Sequence, residues 1–236
     1  MALVDPVAGI WHYYDAAGTE IESFYYGNPG DIPFVGDWDG DGVETPGLYR
    51  PSDGFVYVRN SNTQGIADIT FFFGNPGDVP IAGDFNGDGF HTVSVYRVST
   101  GQVFIINELG EDGGGLEPAD FDYYFGNPAD KPFTGDYTRD GIDTIGLHRK
   151  TTGLVYFRND HTQGIAHHDF IFGWPGDRFA AGDWTRIGIS TPAVFRPGDT
   201  TMYFRHANTQ GIADHEYIAG ESDWRPVGGH FGELSR

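Results

Sequence analysis

The chain has 236 residues and a formal charge of −20, a balance that repels nucleic acid and anionic membranes and favours cations. It has no cysteine, which excludes disulfides and thiolate metal sites, and no apolar run nears the ~18 residues of a membrane span. Aromatics make up 16%, with 36 Gly and 14 Pro, a mixture that suits many short strands joined by tight turns.

Residues 2–9 align with 47–54, residues 10–14 align with 55–59, and Ser23-Phe24-Tyr25-Tyr26 has the apolar run of a further strand. A turn, Gly27-Asn28-Pro29-Gly30-Asp31, follows and then returns at 74–78, at 126–130 with Ala129, at 173–177 with Trp174, and in worn form at 220–223. The spacings are 47, 52, 47 and 47 residues, the period of a propeller blade or comparable array.

Within the first full period, 32–38 predicts a strand that ends in a Gly/Asp loop. Residues 45–50 predict a second, stopped by Pro51-Ser52-Asp53-Gly54. Residues 55–59 predict a third, and 67–73 a fourth after a polar loop. Alternating patterns bounded by Gly, Pro, Asn and Asp mark half-buried strands, and four consecutive antiparallel strands make one blade. Copies follow at 79–126, 131–173 and 178–220. Residues 225–231 match strand one, so the C-terminus supplies the strand that the N-terminus lacks. The expected fold is all-β: a five-bladed propeller of blades 32–74, 79–126, 131–173, 178–220, and 225–236 with 1–27. The ring closes by one C-terminal and three N-terminal strands, leaving no open edge between its ends.

The stretch 107–122 is five residues longer than its counterparts and carries Glu108, Glu111, Asp112, Glu117, Asp120 and Asp122 around the run of three glycines at 113–115. It reads either as a solvated loop or as a recognition loop.

Two first loops fit D-x-[DN]-x-[DN]-G: Asp37, Asp39, Asp41 with Gly42, and Asp84, Asn86, Asp88 with Gly89. Oxygens at positions 1, 3 and 5, with a carbonyl from Val43 or Phe90 at position 7, can converge on a hard cation such as calcium. Thr45 and Thr92 occupy position 9, and the bidentate Glu of an EF-hand is missing, which points to weak binding of roughly 10⁻⁴ to 10⁻³ M. The third loop keeps only Asp136 and Asp140 and gains Arg139, a weaker candidate. The alternative is an Asx turn held by its own backbone.

Antiparallel strands send their loops alternately to two faces. On one, Asp31, Asp78, Asp130 and Asp177 can meet Arg50, Arg97, Arg149 and Arg196, which reads as structural ion pairs clamping neighbouring blades, or else as anion or ligand binding by the arginines. On the other, Asn62-Thr63-Gln64, His161-Thr162-Gln163 and Asn208-Thr209-Gln210 offer amides and hydroxyls suited to sugars, or simply make good turns. Trp174 and Trp224 break the repeat and are candidates for stacking on a sugar or a protein. Trp38, Phe85, Tyr137, Trp184 and Phe231 share one slot and read as packing between blades.

The combination GNPGDIPFVGDWDGDG, TPGLYRPSDG and FVYVRNSNTQGIAD resembles the FG-GAP/VCBS-like propeller repeats of bacterial extracellular proteins. The resemblance covers nearly the whole chain. It implies calcium at Asp37, Asp39, Asp41, Asp84, Asn86 and Asp88, and a secreted module that binds rather than catalyses, although no signal peptide is visible at the start.

Almost every acidic residue recurs from blade to blade, and no Ser-His-Asp group or nucleophile elbow appears, so an enzyme is not expected. The leading expectation is a non-catalytic, multivalent glycan-binding module stabilised by calcium. The alternatives are a calcium-stabilised protein-interaction or spacer domain on cell-surface or extracellular proteins, and, less favoured, a glycoside hydrolase.

Overall fold

The computed structural model describes residues 1–115 and 118–231. Glu117 and the last five residues of the fifth blade lie outside the described residues. The architecture is the expected one, a ring of five antiparallel sheets. Blade one comprises Ile32–Gly36, Thr45–Arg50, Phe55–Val58 and Ile69–Phe72, and blade two Asp78–Gly83, Thr92–Arg97, Gln102–Ile105 and Phe121–Tyr124. Blade three comprises Lys131–Gly135, Thr144–Arg149, Leu154–Phe157 and His168–Ile171, and blade four Arg178–Gly182, Thr191–Arg196, Thr201–Phe204 and His215–Ile218. Blade five joins Arg225–Val227 to Ala2–Asp5, Ile10–Tyr14 and Glu20–Tyr25. Its seam is an antiparallel ladder with Ala2 opposite Val227 and Val4 opposite Arg225. Among the described residues no helix is long and apolar enough to cross a membrane.

First strands line the centre and touch their neighbours all the way round. The approach is tightest at Gly228, where a Cβ would lie 1.8 Å from the Ala181 carbonyl oxygen, so no side chain fits at that crossing.

Alternation along each strand sends one apolar set to each side of a blade. The core is therefore five clusters, one at each junction. Between blades one and two, for example, Phe71 and Val56 meet Val93 and Val95, and between blades five and one Trp11 and Tyr13 meet Val35 and Leu48. The shared aromatic slot belongs to these clusters, with Trp38, Phe85, Tyr137 and Phe231 buried and Trp184 packed beside them.

The stretch 107–122 departs from a simple solvated loop. Gly114–Gly115 add a parallel fifth strand to the outer edge of blade one, with Gly114 opposite Phe71 and Gly115 opposite Phe72.

Candidate functional site

The four expected ion pairs all form, and each is bidentate. Arg50 donates to Asp31 at 3.0 and 2.9 Å, and the same geometry holds at Arg97–Asp78, Arg149–Asp130 and Arg196–Asp177. They do not clamp neighbouring blades directly. Asp78 stands opposite Arg97 in the ladder between strands one and two of a single blade. What reaches the preceding blade is the other bond of each carboxylate, which accepts the N–H of Asn28, Asn75, Asn127 or Trp174 in the entering turn.

The two odd tryptophans are tied into this scheme. Arg196 lies 3.9 Å from the Trp174 ring and 4.4 Å from Tyr203, so one indole face is occupied although the residue is 65% exposed. Trp224 is not an exposed surface indole. It is partly buried and stacks on His12.

The Asn-Thr-Gln loops wrap an arginine. Arg59 donates to the Thr63 carbonyl and hydroxyl and to the Gln64 and Ile66 carbonyls. Arg158 reaches the Thr162 hydroxyl, and Arg205 reaches Thr209. Asn62 accepts from Tyr13 of blade five and donates to the Glu44 carbonyl, while Asn208 donates to the Ser190 carbonyl. These loops leave exposed Gln64, Gln163 and Gln210, the bonded Thr63, Thr162 and Thr209, and Ile66, Ile165 and Ile212.

In the Asp-rich loops the first aspartate caps its own turn. Asp37 accepts N–H bonds from Asp41 and Gly42, and Asp84 accepts from Gly87, Asp88 and Gly89. Asp136 accepts from Thr138, Arg139, Asp140 and Gly141, and Asp183 from Ile187 and Gly188. Because Asp183 does this where the other acids are gone, the cap needs no ion. Among the described residues only the first loop gathers three acidic donors, with oxygens of Asp37, Asp39 and Asp41 within 4.8 Å of one another. In the second loop Asn86 donates to Asp88, and the Thr92 hydroxyl turns inward to the Ile106 carbonyl. Thr45 likewise faces the Gly36 carbonyl. Hard-cation chemistry therefore fits loop one better than loop two.

A cavity of about 1600 Å³ opens at the centre of this same face. Its key residues occupy one slot of the repeat, immediately before the threonine that opens strand two: Glu44, His91, Asp143 and Ser190. Backbone bonds place them there. The N–H groups of Glu44, His91, Asp143 and Ser190 donate to the carbonyls of His230, Asp37, Asp84 and Asp136 of the preceding blade, at 2.7 to 2.8 Å. The slot is thus fixed at each of these four junctions while its side chain is free to differ.

Chemically, His91 sits between two carboxylates. Its Nδ1 lies 3.9 Å from Glu44 and its Nε2 3.9 Å from Asp143, both too long for hydrogen bonds, and Nδ1 is buried without a partner. Asp143 accepts the Asp84 N–H. Burial drives its carboxyl up to about 6, opposed by His91. Glu44 also accepts the His230 N–H at 2.6 Å. Asp15, Asp183, Arg186, His206 and His215 lie further round the mouth. Sequence reasoning missed this cluster because it followed residues that recur; the signal was a polar slot whose residue differs in each of blades one to four.

No protein-family model matches the chain, and no curated protein matches it. Solved structures of similar shape include the crystal structure of BBS1N in complex with ARL6DN, soaked with mercury, at TM-score 0.45 and 10% identity over 90% of this chain. A lead-soaked crystal of the same complex gives TM-score 0.41 and 12% identity over 92%. The chain spans 62% and 61% of those two chains. Likeness at this level assigns no function.

Proposed function

We propose that the protein is a non-catalytic protein-binding module that uses the face carrying the Asp-rich loops. Its partner lays apolar side chains on the rim and directs a cationic one into the acidic mouth. The observation that carries this reading is a symmetric set of isoleucines. Ile66, Ile165 and Ile212, at the same place in blades one, three and four, are 84%, 87% and 87% exposed. A lone exposed apolar residue needs no explanation, but three on one face around a cavity fit an interaction surface. Glu44 and Asp143 supply the complementary charge for an ammonium or guanidinium.

Catalysis fits less well. Two carboxylates that cleave a glycosidic bond must flank it, and the His91 imidazole lies between Glu44 and Asp143. Glycan recognition retains the exposed amides of Gln64, Gln163 and Gln210, but the neighbouring hydroxyls of Thr63, Thr162 and Thr209 are engaged by arginines. Calcium enters the reading as a stabilising ion at Asp37, Asp39 and Asp41, in an extracellular module of the kind the repeat resemblance implies.

The test is a phage-displayed peptide library panned on the wild type and re-screened on the I66S/I165S/I212S variant, alongside a glycan array. Enriched peptides that pair Lys or Arg with apolar residues and lose binding to the variant are expected. Enriched peptides indifferent to the variant, or glycan binding with no peptide enrichment, would overturn the reading.

A further inference from the structure

The outer edges of the blades differ in how they are covered. The outer edge of blade one is filled from within the chain. Gly114–Gly115 of the 107–122 stretch run parallel to Ile69–Phe72, Gly113 donates its N–H to the Thr70 carbonyl at 2.7 Å, and the Asp112 carboxylate accepts the Thr70 N–H and hydroxyl at 3.0 and 2.8 Å. Gly110 passes directly over the Phe71 ring, where a Cβ would lie 2.4 Å from it. This strand comes from the third-to-fourth loop of the next blade.

Blade three repeats the framework without the strand. His168–Ile171 pairs with Leu154–Phe157 in the register of blade one, Asp169 opposite Tyr156 as Thr70 is opposite Tyr57. The backbone groups of Asp169 therefore point outward, as those of Thr70 do. The next blade's loop is the short Asn208-Thr209-Gln210, and it leaves a groove of about 510 Å³. All four residues of the strand line that groove, facing the three loop residues. Two other edges carry contacts from the next blade: Gly18 and Ala16 lie against Tyr217 and His215 at blade four, and His161 packs on Phe121 and Tyr123 at blade two.

We propose that this edge binds an extended peptide of a basic partner by strand addition, parallel to His168–Ile171. Main-chain hydrogen bonds to an open edge supply affinity that does not depend on sequence, and side-chain contacts supply choice. Two features define the occupant. It needs glycine where it crosses Phe170, as Gly110 crosses Phe71. It needs lysine or arginine where Asp112 stands in blade one, because Asp169 replaces Thr70 there and would repel an acid. A second copy of this chain, at −20, is disfavoured by charge. The exposed Gln210 amide can bond the outer edge of the added strand.

The probe is a synthetic heptapeptide of residues 109–115 carrying D112K, titrated into the ¹⁵N-labelled full chain. Amide shifts confined to 168–171 and 208–210 are expected, and the unsubstituted peptide should bind about threefold more weakly, the scale of an exposed charge pair. In D169K that preference should reverse. I171P removes the outward N–H at the equivalent of Phe72, where the added strand's backbone pairs in blade one and where an edge strand tolerates proline, and binding should fall at least about tenfold, the scale of one lost hydrogen bond. Replacing 107–120 by the blade-one loop 60–68 should open the edge at 69–72, where the unsubstituted peptide now binds beside Thr70. No shift at millimolar peptide, shifts elsewhere, or a preference unchanged in D169K would each overturn the proposal. So would the same amides answering a neutral oligosaccharide and not the peptide.

Discussion

Trp224 stacks on His12 with ring centroids 4.0 Å apart and planes 17° apart, joining the turn before the C-terminal strand to the third strand of the blade it completes. In the other four blades the slot of Trp224 holds Asp31, Asp78, Asp130 or Asp177, and the slot of His12 holds Tyr57, Phe104, Tyr156 or Tyr203. There an arginine bridges the two, paired with the acid and lying over the ring. Blade five has Asp5 where the arginine would be, and Asp5 instead caps its own turn through Val7 and Ala8. Ring stacking replaces the ion pair at the seam.

Trp224→Ala should therefore weaken ring closure specifically. A loss of about 2 kcal/mol is expected, below the 3–5 of a fully buried tryptophan because this one is partly exposed. Urea unfolding measures it, and limited proteolysis should cut first near 220–231. A variant as stable and as resistant as wild type would show that the stack is incidental.

Ala129 offers a gain. It has φ of 76°, in the slot where Gly30, Gly77 and Gly176 have φ of 91°, 91° and 98°. A Cβ at those three glycines would meet nothing within 4 Å, so the cost at Ala129 is in the backbone and not in packing. Ala129→Gly should stabilise by about 1 kcal/mol, the left-handed penalty less the entropy returned to the unfolded chain. Thermal unfolding would register a rise of a few degrees, and a fall would refute the argument.

The strands, the blade count and the seam were legible because each rests on local patterning repeated several times. Residues 55–59, for instance, needed only alternation and a flanking turn to match Phe55–Val58. The identity of the ion pairs was legible for the same reason. Their placement was not, since pairing Asp78 with Arg97 inside one sheet depends on register rather than on recurrence. The channel mouth was illegible for a deeper reason. Glu44, His91 and Asp143 belong to three successive blades, and only the packing of one blade's first strand on the next brings them together. The strand at Gly114–Gly115 has no side chains to pattern, so nothing in its sequence announced that it would pair with Phe71 and Phe72.

Asp143 makes the mouth costly to keep charged. Its folded pKa of about 6 lies above the unfolded value of 3.8. The carboxyl thus contributes stability fully present below about pH 3.8 and lost as pH rises through 6. Asp143→Asn keeps an acceptor for the Asp84 N–H and removes the charge. It should raise stability at pH 7.5 by about 2 kcal/mol and leave it nearly unchanged at pH 4. His148 works oppositely: burial lowers it from 6.5 to about 4, so its contribution is present above 6.5 and fades as pH falls through 4. The comparison must therefore be made as the difference between variant and wild type, in which His148 cancels. An equal gain at both pH values would deny that Asp143 is strained by its charge.

Calcium should act through the first loop alone. Asp37, Asp39 and Asp41 lack a position-12 carboxylate, and Thr45 is turned to the Gly36 carbonyl, so binding near 10⁻⁴ to 10⁻³ M is the expected range. At 10 mM calcium, mass action then stabilises the fold by roughly 1.4 to 2.7 kcal/mol. Asp39→Asn should remove most of that gain without altering stability in EDTA, because Asp39 contributes no cap to the turn. Asp88→Asn should leave the calcium response intact, since Asp88 is already bonded to the Asn86 amide. Melting curves of the three proteins with calcium, magnesium and EDTA decide the matter. A calcium gain that survives Asp39→Asn but disappears with Asp88→Asn would move the ion to the second loop, and no gain in any protein would leave these loops as turns that cap themselves.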